Sequence, residues 1–197
     1  MRIELIRHGE TAYQAEGRYQ GRSDVPLSGA GRRALRPAVR AVDTVYVTPL
    51  RRTAETAAIL FPQAAQVAVD ALREMDFGVF EGRNYQEMAE DPAYRAWVDG
   101  GCLDACPGGE SKDAFCGRVC PAFAALVDEA LGRGAAELVI VAHGGTQMAV
   151  MERFAEPRRA YFDWRLKSGQ GYVLDASLWP ARRRLRLLGR TDYTKDV

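Results

Sequence analysis

The 197-residue chain has room for one domain with a sizeable core and too little for two. Hydrophobic residues make up 47%, charged residues 27%, and the formal net charge is +1, so composition gives no support to a nucleic-acid binder or a membrane-surface protein. No apolar run approaches the roughly 20 residues that span a bilayer, and Arg2 and Glu4 flank Ile3 in a short N-terminal stretch unlike a signal peptide, which points to a cytoplasmic enzyme.

Ile3–Ile6 is a short apolar strand, followed by a loop holding Gly9, Gly17 and Gly21. Ser28 caps an expected helix through Val39, Thr44–Val47 is a second strand, and an alanine-rich helix runs from Leu50 to Leu60. Gln66–Val69 is a weaker third strand. Tyr85–Val98 is expected to be helical with a break at Asp91-Pro92, Cys102–Gly109 is a loop, and Ser111 caps a long helix to Leu131 that Pro121 should kink. Phe115, Val119, Leu126 and Ala130 mark its apolar side. Leu138–Ala142 is an uninterrupted apolar strand of the kind buried on both faces of a parallel sheet. A helix over Thr146–Phe154 and two strands, Tyr172–Asp175 and Leu185–Leu188, complete an α/β fold: a three-layer α/β/α sandwich around a mostly parallel sheet. No repeat or linker interrupts residues 1–197, so one domain is expected, with a helical and loop cap over about 84–110.

The chain has two histidines, and each follows a buried strand and precedes a glycine: His8 after the first strand, His143 after Leu138–Ala142. In such a fold both emerge at one edge of the sheet, where binding sites form. Arg7 adjoins His8, and Arg51 opens the helix after the second strand, while Arg52 reads as a solvated surface charge. Guanidinium forks beside a helix N-terminus suit a dianionic phosphate.

These residues sit in blocks that resemble the histidine phosphatase superfamily, the phosphoglycerate-mutase-like group, in its first branch. The blocks are Leu5-Ile6-Arg7-His8-Gly9-Glu10-Thr11, Asp24–Gly31, Thr48–Ala57, Leu72-Arg73-Glu74 with Phe77-Gly78 and Phe80-Glu81-Gly82, and Val141-Ala142-His143-Gly144-Gly145. The resemblance implies that His8 attacks phosphorus and becomes a phosphohistidine. Arg7, Arg51 and His143, the last as a cation, would bind the phosphoryl oxygens, and Glu74 would serve as general acid and then base. Gly144, Gln14 (where the family often has asparagine) and Ser23 are further phosphate-binding candidates. Asp76 and Glu81 compete for the acid role; spacing favours Glu74, and Glu81 reads as structural. No metal or other cofactor is implied.

Sixty-nine residues separate Glu74 from His143, fewer than in the mutases of this resemblance. That favours a phosphomonoester hydrolase over a phosphoglycerate mutase, acting as a monomer or homodimer without nucleic acid or membrane. Glu74–Gly78 and Pro107–Ser111 resemble α-ribazole phosphatases, suggesting α-ribazole 5′-phosphate as a substrate. Cys116 and Cys120 read as buried hydrophobes; the non-enzymatic alternative is a zinc or redox module on Cys102, Cys106, Cys116 and Cys120. Arg182-Arg183-Arg184-Leu185-Arg186 reads as a solvated face rather than a nucleic-acid contact.

Overall fold

The computed structural model describes residues 1–194. In chain order the strands are β1 (Arg2–Arg7), β2 (Thr44–Val47), β3 (Ala65–Ala68), β4 (Glu137–Ala142), β5 (Ala155–Glu156), β6 (Gln170–Asp175) and β7 (Leu185–Asp192). The helices are α1 (Ala12–Ala15), α2 (Gly29–Ala34), α3 (Arg51–Leu60), α4 (Pro92–Asp99), α5 (Lys112–Gly132), α6 (Gly144–Phe154) and α7 (Trp179–Arg182). One seven-stranded sheet has the order β3-β2-β4-β1-β6-β7-β5. Strands β3, β2, β4 and β1 run parallel, while β6 is antiparallel to both β1 and β7. The sheet is therefore mixed but mostly parallel, and the expected terminal pair β6–β7 extends it beyond β1.

Alternation along the central strands divides the core. Leu138, Ile140 and Ala142 of β4 face one layer with Phe115, Val119, Phe123 and Val127 of α5, whereas Val139 and Val141 face the other with Ala57 and Leu60 of α3. Helices thus cover both faces of the sheet. Burial of this kind contributes about 25 cal/mol per Å² of apolar area. Glu4, 1% exposed, breaks the pattern on β1, and Arg40 and the Tyr193 hydroxyl both bind its carboxylate.

Several boundaries differ from expectation for local reasons. The α2 helix stops at Ala34, not Val39: Pro37 follows within three residues, Leu35 is extended, and Val39 is fully exposed. Residues 85–90 form turns, and the Asp91-Pro92 break proves to be a helix start, with Asp91 capping Ala93 N–H and Pro92 at the first helical position. On α5 the inward stripe is Phe115, Val119, Phe123, Val127 and Ala130, with Leu126 only half-buried. Pro121 lies inside α5 without ending it. Strand β3 begins one residue earlier than expected and is exposed along its whole length, as an edge strand.

Candidate active site

The C-terminal ends of the parallel strands converge. His8 follows β1, Thr48 follows β2, His143 follows β4, and Glu74 lies just beyond the short 3-10 turn Asp70–Leu72 after β3. The two imidazole rings are edge to face, 5.2 Å between centroids. His8 Nδ1 lies 2.7 Å from the Gly9 carbonyl. A carbonyl only accepts, so Nδ1 carries the proton and Nε2 keeps its lone pair. Burial holds the His8 pKa well below its ordinary 6.5, and the charges of Arg52 and Arg7 depress it further, so the ring is neutral near pH 7. Helix α3 fixes this loop, because Gly9 N–H donates to the Thr56 hydroxyl at 2.9 Å.

Glu74 is 9% exposed. Its carboxyl accepts from Gly145 N–H at 2.9 Å, at the start of α6, and from its neighbour Met75 N–H at 3.0 Å. Those bonds and the nearby Arg52 and Arg7 favour the carboxylate, but desolvation outweighs them and raises its pKa. Asp76 does not compete for this place: it caps its own turn through Gly78 N–H and faces Arg22. Glu81 is structural, accepting from the backbone N–H groups of Gly21, Arg22, Ser23 and Phe77.

Arg7 fits an anion site. One guanidinium nitrogen donates to the Leu166 carbonyl at 2.5 Å, while its buried Nε has no partner among the described residues. Gly144 brings the α6 N-terminus against it: a Cβ there would lie 3.3 Å from Arg7 Nε. Arg7, His8, Gln14 and Glu74 line a cavity of about 180 Å³, with Tyr19, Gln20 and Phe77 also on its wall. Gln14 Oε1 accepts from Thr11 N–H and the Ser168 hydroxyl, leaving its amide nitrogen available.

Two expectations are corrected by position. The Arg51 side chain is 59% exposed, pairs with Glu55 one turn along α3, and is not on the wall of the cavity that Arg7, His8 and Glu74 line. Arg52, expected on the surface, is the fully buried arginine. It donates to His143 Nδ1 at 3.3 Å and to the carbonyls of Ser23 and Gly21 at 2.8 Å each. The helix phase carried the signal: Arg52, Thr56 and Leu60 repeat every four residues on the buried face, whereas Arg51 and Glu55 share the outer one. Burial lowers the Arg52 pKa to about 10, with the charge retained at neutral pH.

His143 is not a cation. Arg52 Nε–H can only donate, so Nδ1 accepts, and Nε2 holds the ring proton and donates to the Thr48 hydroxyl at 2.9 Å. Burial and the charge of Arg52 keep its pKa well below 6.5. Ser23 does not offer its hydroxyl to a ligand, because that group donates to Glu81. Instead its carbonyl anchors Arg52.

A second cavity of about 380 Å³ adjoins the first on the Glu74 side, lined by Tyr19, Phe77, Trp97, Met148 and Tyr161 among others. Trp97 and Cys102 bring the segment 84–110 onto its wall. Cys106 and Cys120 are packed in the core, burial raises all four thiol pKa values, and no group of three or more metal-ligating side chains occurs among the described residues. In the arginine run, Arg183 pairs with Asp128 and Arg186 with Asp175, while Arg184 donates to the Arg153 carbonyl. No helix among the described residues is long and apolar enough to cross a membrane.

Residues 3–188 match the histidine phosphatase superfamily (branch 1). Phosphoglycerate mutase-like protein 4 of Arabidopsis thaliana is 35% identical over 163 residues, covering 77% of this chain and 70% of its own. Among solved structures, the alpha-ribazole phosphatase from Shigella flexneri superposes with a TM-score of 0.82 at 26% identity, covering 100% of this chain and 99% of that one. The phosphoglycerate mutase from Thermus thermophilus gives 0.68 at 30% identity, covering 96% and 98%. The family implies a phosphorylated small molecule as substrate. The chain belongs to the histidine phosphatase superfamily, branch 1, and is an enzyme of that phosphatase-or-mutase class.

Proposed function

We propose that the chain is a phosphomonoester hydrolase that works through a phosphohistidine on His8. The observation that carries this reading is the placing of His8, with Nδ1 against the Gly9 carbonyl, and Glu74 on one cavity. A buried neutral imidazole, with Nδ1–H held by the Gly9 carbonyl, leaves Nε2 as a lone-pair nucleophile, and a carboxyl of raised pKa lies in the same cavity.

His8 Nε2 forms the N–P bond as the P–O bond to the leaving alcohol breaks. Glu74 gives its proton to the departing oxygen. The resulting carboxylate takes a proton from water, whose oxygen attacks phosphorus. The N–P bond then breaks, releasing inorganic phosphate and restoring neutral His8 and protonated Glu74. Arg7, with its unpartnered Nε, and Arg52 supply the positive charge for the transferring group, and the Gln14 amide and Gly144 N–H add donors. His143 is a positioning residue, holding Arg52 from Nδ1 and Thr48 from Nε2.

Hydrolysis is favoured over transfer to a second alcohol because the cap, the segment about 84–110, is short. Exposed Phe162 and Arg165 on the cavity rim leave a path for water to the phosphoenzyme. The likeness to the Shigella flexneri enzyme supports α-ribazole 5′-phosphate as one substrate. The likeness to mutases keeps a second reading: phosphorylation of His8 by 2,3-bisphosphoglycerate with sustained mutase turnover.

The test is the chemical stability of a trapped label. A rapid quench with labelled phosphomonoester should trap an acid-labile, alkali-stable phosphoenzyme in the wild type and none in His8→Ala, which should also lose turnover. Retained turnover in His8→Ala overturns the proposal.

A further inference from the structure

The larger cavity carries two cations that the chemistry above does not use, and one of them has no carboxylate partner among the described residues. Lys112 is the other: Glu152 neutralises that ammonium at 3.0 Å and the Tyr161 ring lies under it at 4.6 Å. Arg165 lines the same cavity, is exposed, and has no carboxylate partner among the described residues. Its base is firm. On one side the buried Trp164 has its carbonyl held by the Tyr172 hydroxyl at 3.0 Å; on the other, the buried Leu166 gives its carbonyl to Arg7. The residue that meets the phosphate therefore also fixes the turn that presents Arg165.

The wall beside this cation is aromatic. Phe162, 48% exposed, stands edge to face with Tyr161 at 5.1 Å and lies 6.0 Å from the Arg165 guanidinium. Tyr19, Phe77 and Trp97 pack against one another elsewhere on the lining, at 5.2–6.3 Å. An exposed aromatic side chain inside a cavity is a surface for stacking, and an unpaired guanidinium at its edge selects an anion. The charge of Arg165 reaches Arg7 and the Cys102 thiol, whereas Glu74 is set chiefly by its burial and its backbone bonds, and the charges that act on it are Arg52 and Arg7. A second anion held at Arg165 therefore does not need to sit beside the acid, where it would raise the Glu74 pKa further.

We propose that the preferred leaving group is an aromatic alcohol bearing a second anionic group, with its ring against Phe162 and its anion on Arg165. This rests on the hydrolase reading and adds a substrate class to it. Arg165 and Phe162 are then specificity-determining residues, neither taking part in proton or phosphoryl transfer.

The experiment compares 3-carboxyphenyl phosphate, its methyl ester and phenyl phosphate as substrates of the full chain, with glycerol 3-phosphate as the non-aromatic reference. Wild type should prefer the acid over its methyl ester by about tenfold in kcat/KM, carried in KM. Arg165→Gln should bring that ratio to near one; Phe162→Ala should keep it while raising KM for all three aryl esters about fivefold relative to glycerol 3-phosphate. Comparing ratios between variants cancels the different leaving-group acidities. A ratio near one in wild type, or one that Arg165→Gln leaves unchanged, overturns this inference while the hydrolase reading stands. Turnover of none of the esters overturns both.

Discussion

Arg52 and His143 form a fixed pair in which Nε–H of the guanidinium donates to Nδ1 of the imidazole at 3.3 Å. The bond sets the tautomer of His143, sends its Nε2 proton to Thr48, and places a buried positive charge against both histidines. Arg52 therefore depresses the pKa of His8 and, in the proposed mechanism, supplies charge to the phosphoryl group. Replacing it with lysine keeps a charge but removes the planar fork that holds two carbonyls and the ring. Arg52→Lys should lower kcat/KM by about 10²–10³, whereas Arg51→Ala, on the outer face, should stay within about threefold. Steady-state kinetics on both, with circular dichroism to exclude unfolding, checks the assignment; equal losses would return Arg51 to the site.

The expectation falls on Arg51 rather than its neighbour for a physical reason. Adjacent residues on a helix differ by about 100°, so a motif read by proximity does not say which side chain faces inward. The four-residue spacing of Arg52, Thr56 and Leu60 does say it. His8 and His143 were legible because strand ends in a parallel sheet share an edge, whereas Glu74 follows no such strand pattern and was legible only through the resemblance of Leu72-Arg73-Glu74 and the Phe-Gly and Glu-Gly marks after it. The tautomer of His143 and the capture of the Ser23 hydroxyl were not legible. They depend on Arg52, 91 residues from His143, and on Glu81, 58 residues from Ser23, and no local pattern encodes either contact. The early stop of α2, by contrast, was available in Pro37.

In the proposed mechanism Glu74 is protonated when it expels a poor leaving group. Glu74→Gln should slow an alkyl phosphate such as glycerol 3-phosphate by about 10²–10⁴, and p-nitrophenyl phosphate far less in the first step, because nitrophenolate departs without a proton. Burst kinetics separate the steps: the variant should release p-nitrophenol rapidly and then stall as phosphoenzyme. Equal slowing of both bursts would remove Glu74 as the acid.

The pH profile follows from the direction of two shifts. With the Glu74 pKa raised, the protonated acid persists above the ordinary carboxyl range, so kcat/KM for alkyl esters should fall as pH rises through that raised value. The buried His8 stays neutral, so no loss of nucleophile is expected between about pH 6 and 7. The descending limb should vanish for p-nitrophenyl phosphate under burst conditions. A descending limb of the same position for both esters would assign it to another group.

The histidine share of the stability should fall with acid for a related reason, against an opposite trend from the raised Glu74 pKa. His8 and His143 have folded-state pKa values well below the unfolded 6.5, so below that pH the unfolded chain binds more protons and is favoured. That share is fully present above pH 6.5 and is lost as pH falls toward the folded-state values, by up to about 1.4 kcal/mol per pH unit for each histidine that stays neutral. Urea unfolding at about pH 7.5 and 5.5 measures the difference, and His8→Ala should reduce it. An identical pH dependence in the variant would show that His8 titrates freely in the fold.

The most selective probe of the acid is a backbone one. A Cβ at Gly145 would lie 2.2 Å from Glu74 Oε1, a contact no structure keeps, while the Gly145 N–H bond at 2.9 Å holds the other carboxyl oxygen. Gly145→Ala must therefore displace the Glu74 side chain, and it cannot do so without weakening that bond. The neighbouring Phe115 ring, 3.2 Å from the same Cβ, closes the other side. Turnover of alkyl phosphates should fall by about 10²-fold, approaching the Glu74→Gln level, while the p-nitrophenol burst survives. The matched control is Gly189→Ala in β7, where nothing lies within 4 Å of the added methyl and kinetics should be unchanged. Combining Gly145→Ala with Glu74→Gln should then cost little beyond Glu74→Gln alone, because both act on one proton transfer. Full additivity of the two losses would mean that Gly145 supports catalysis by some route other than placing the acid.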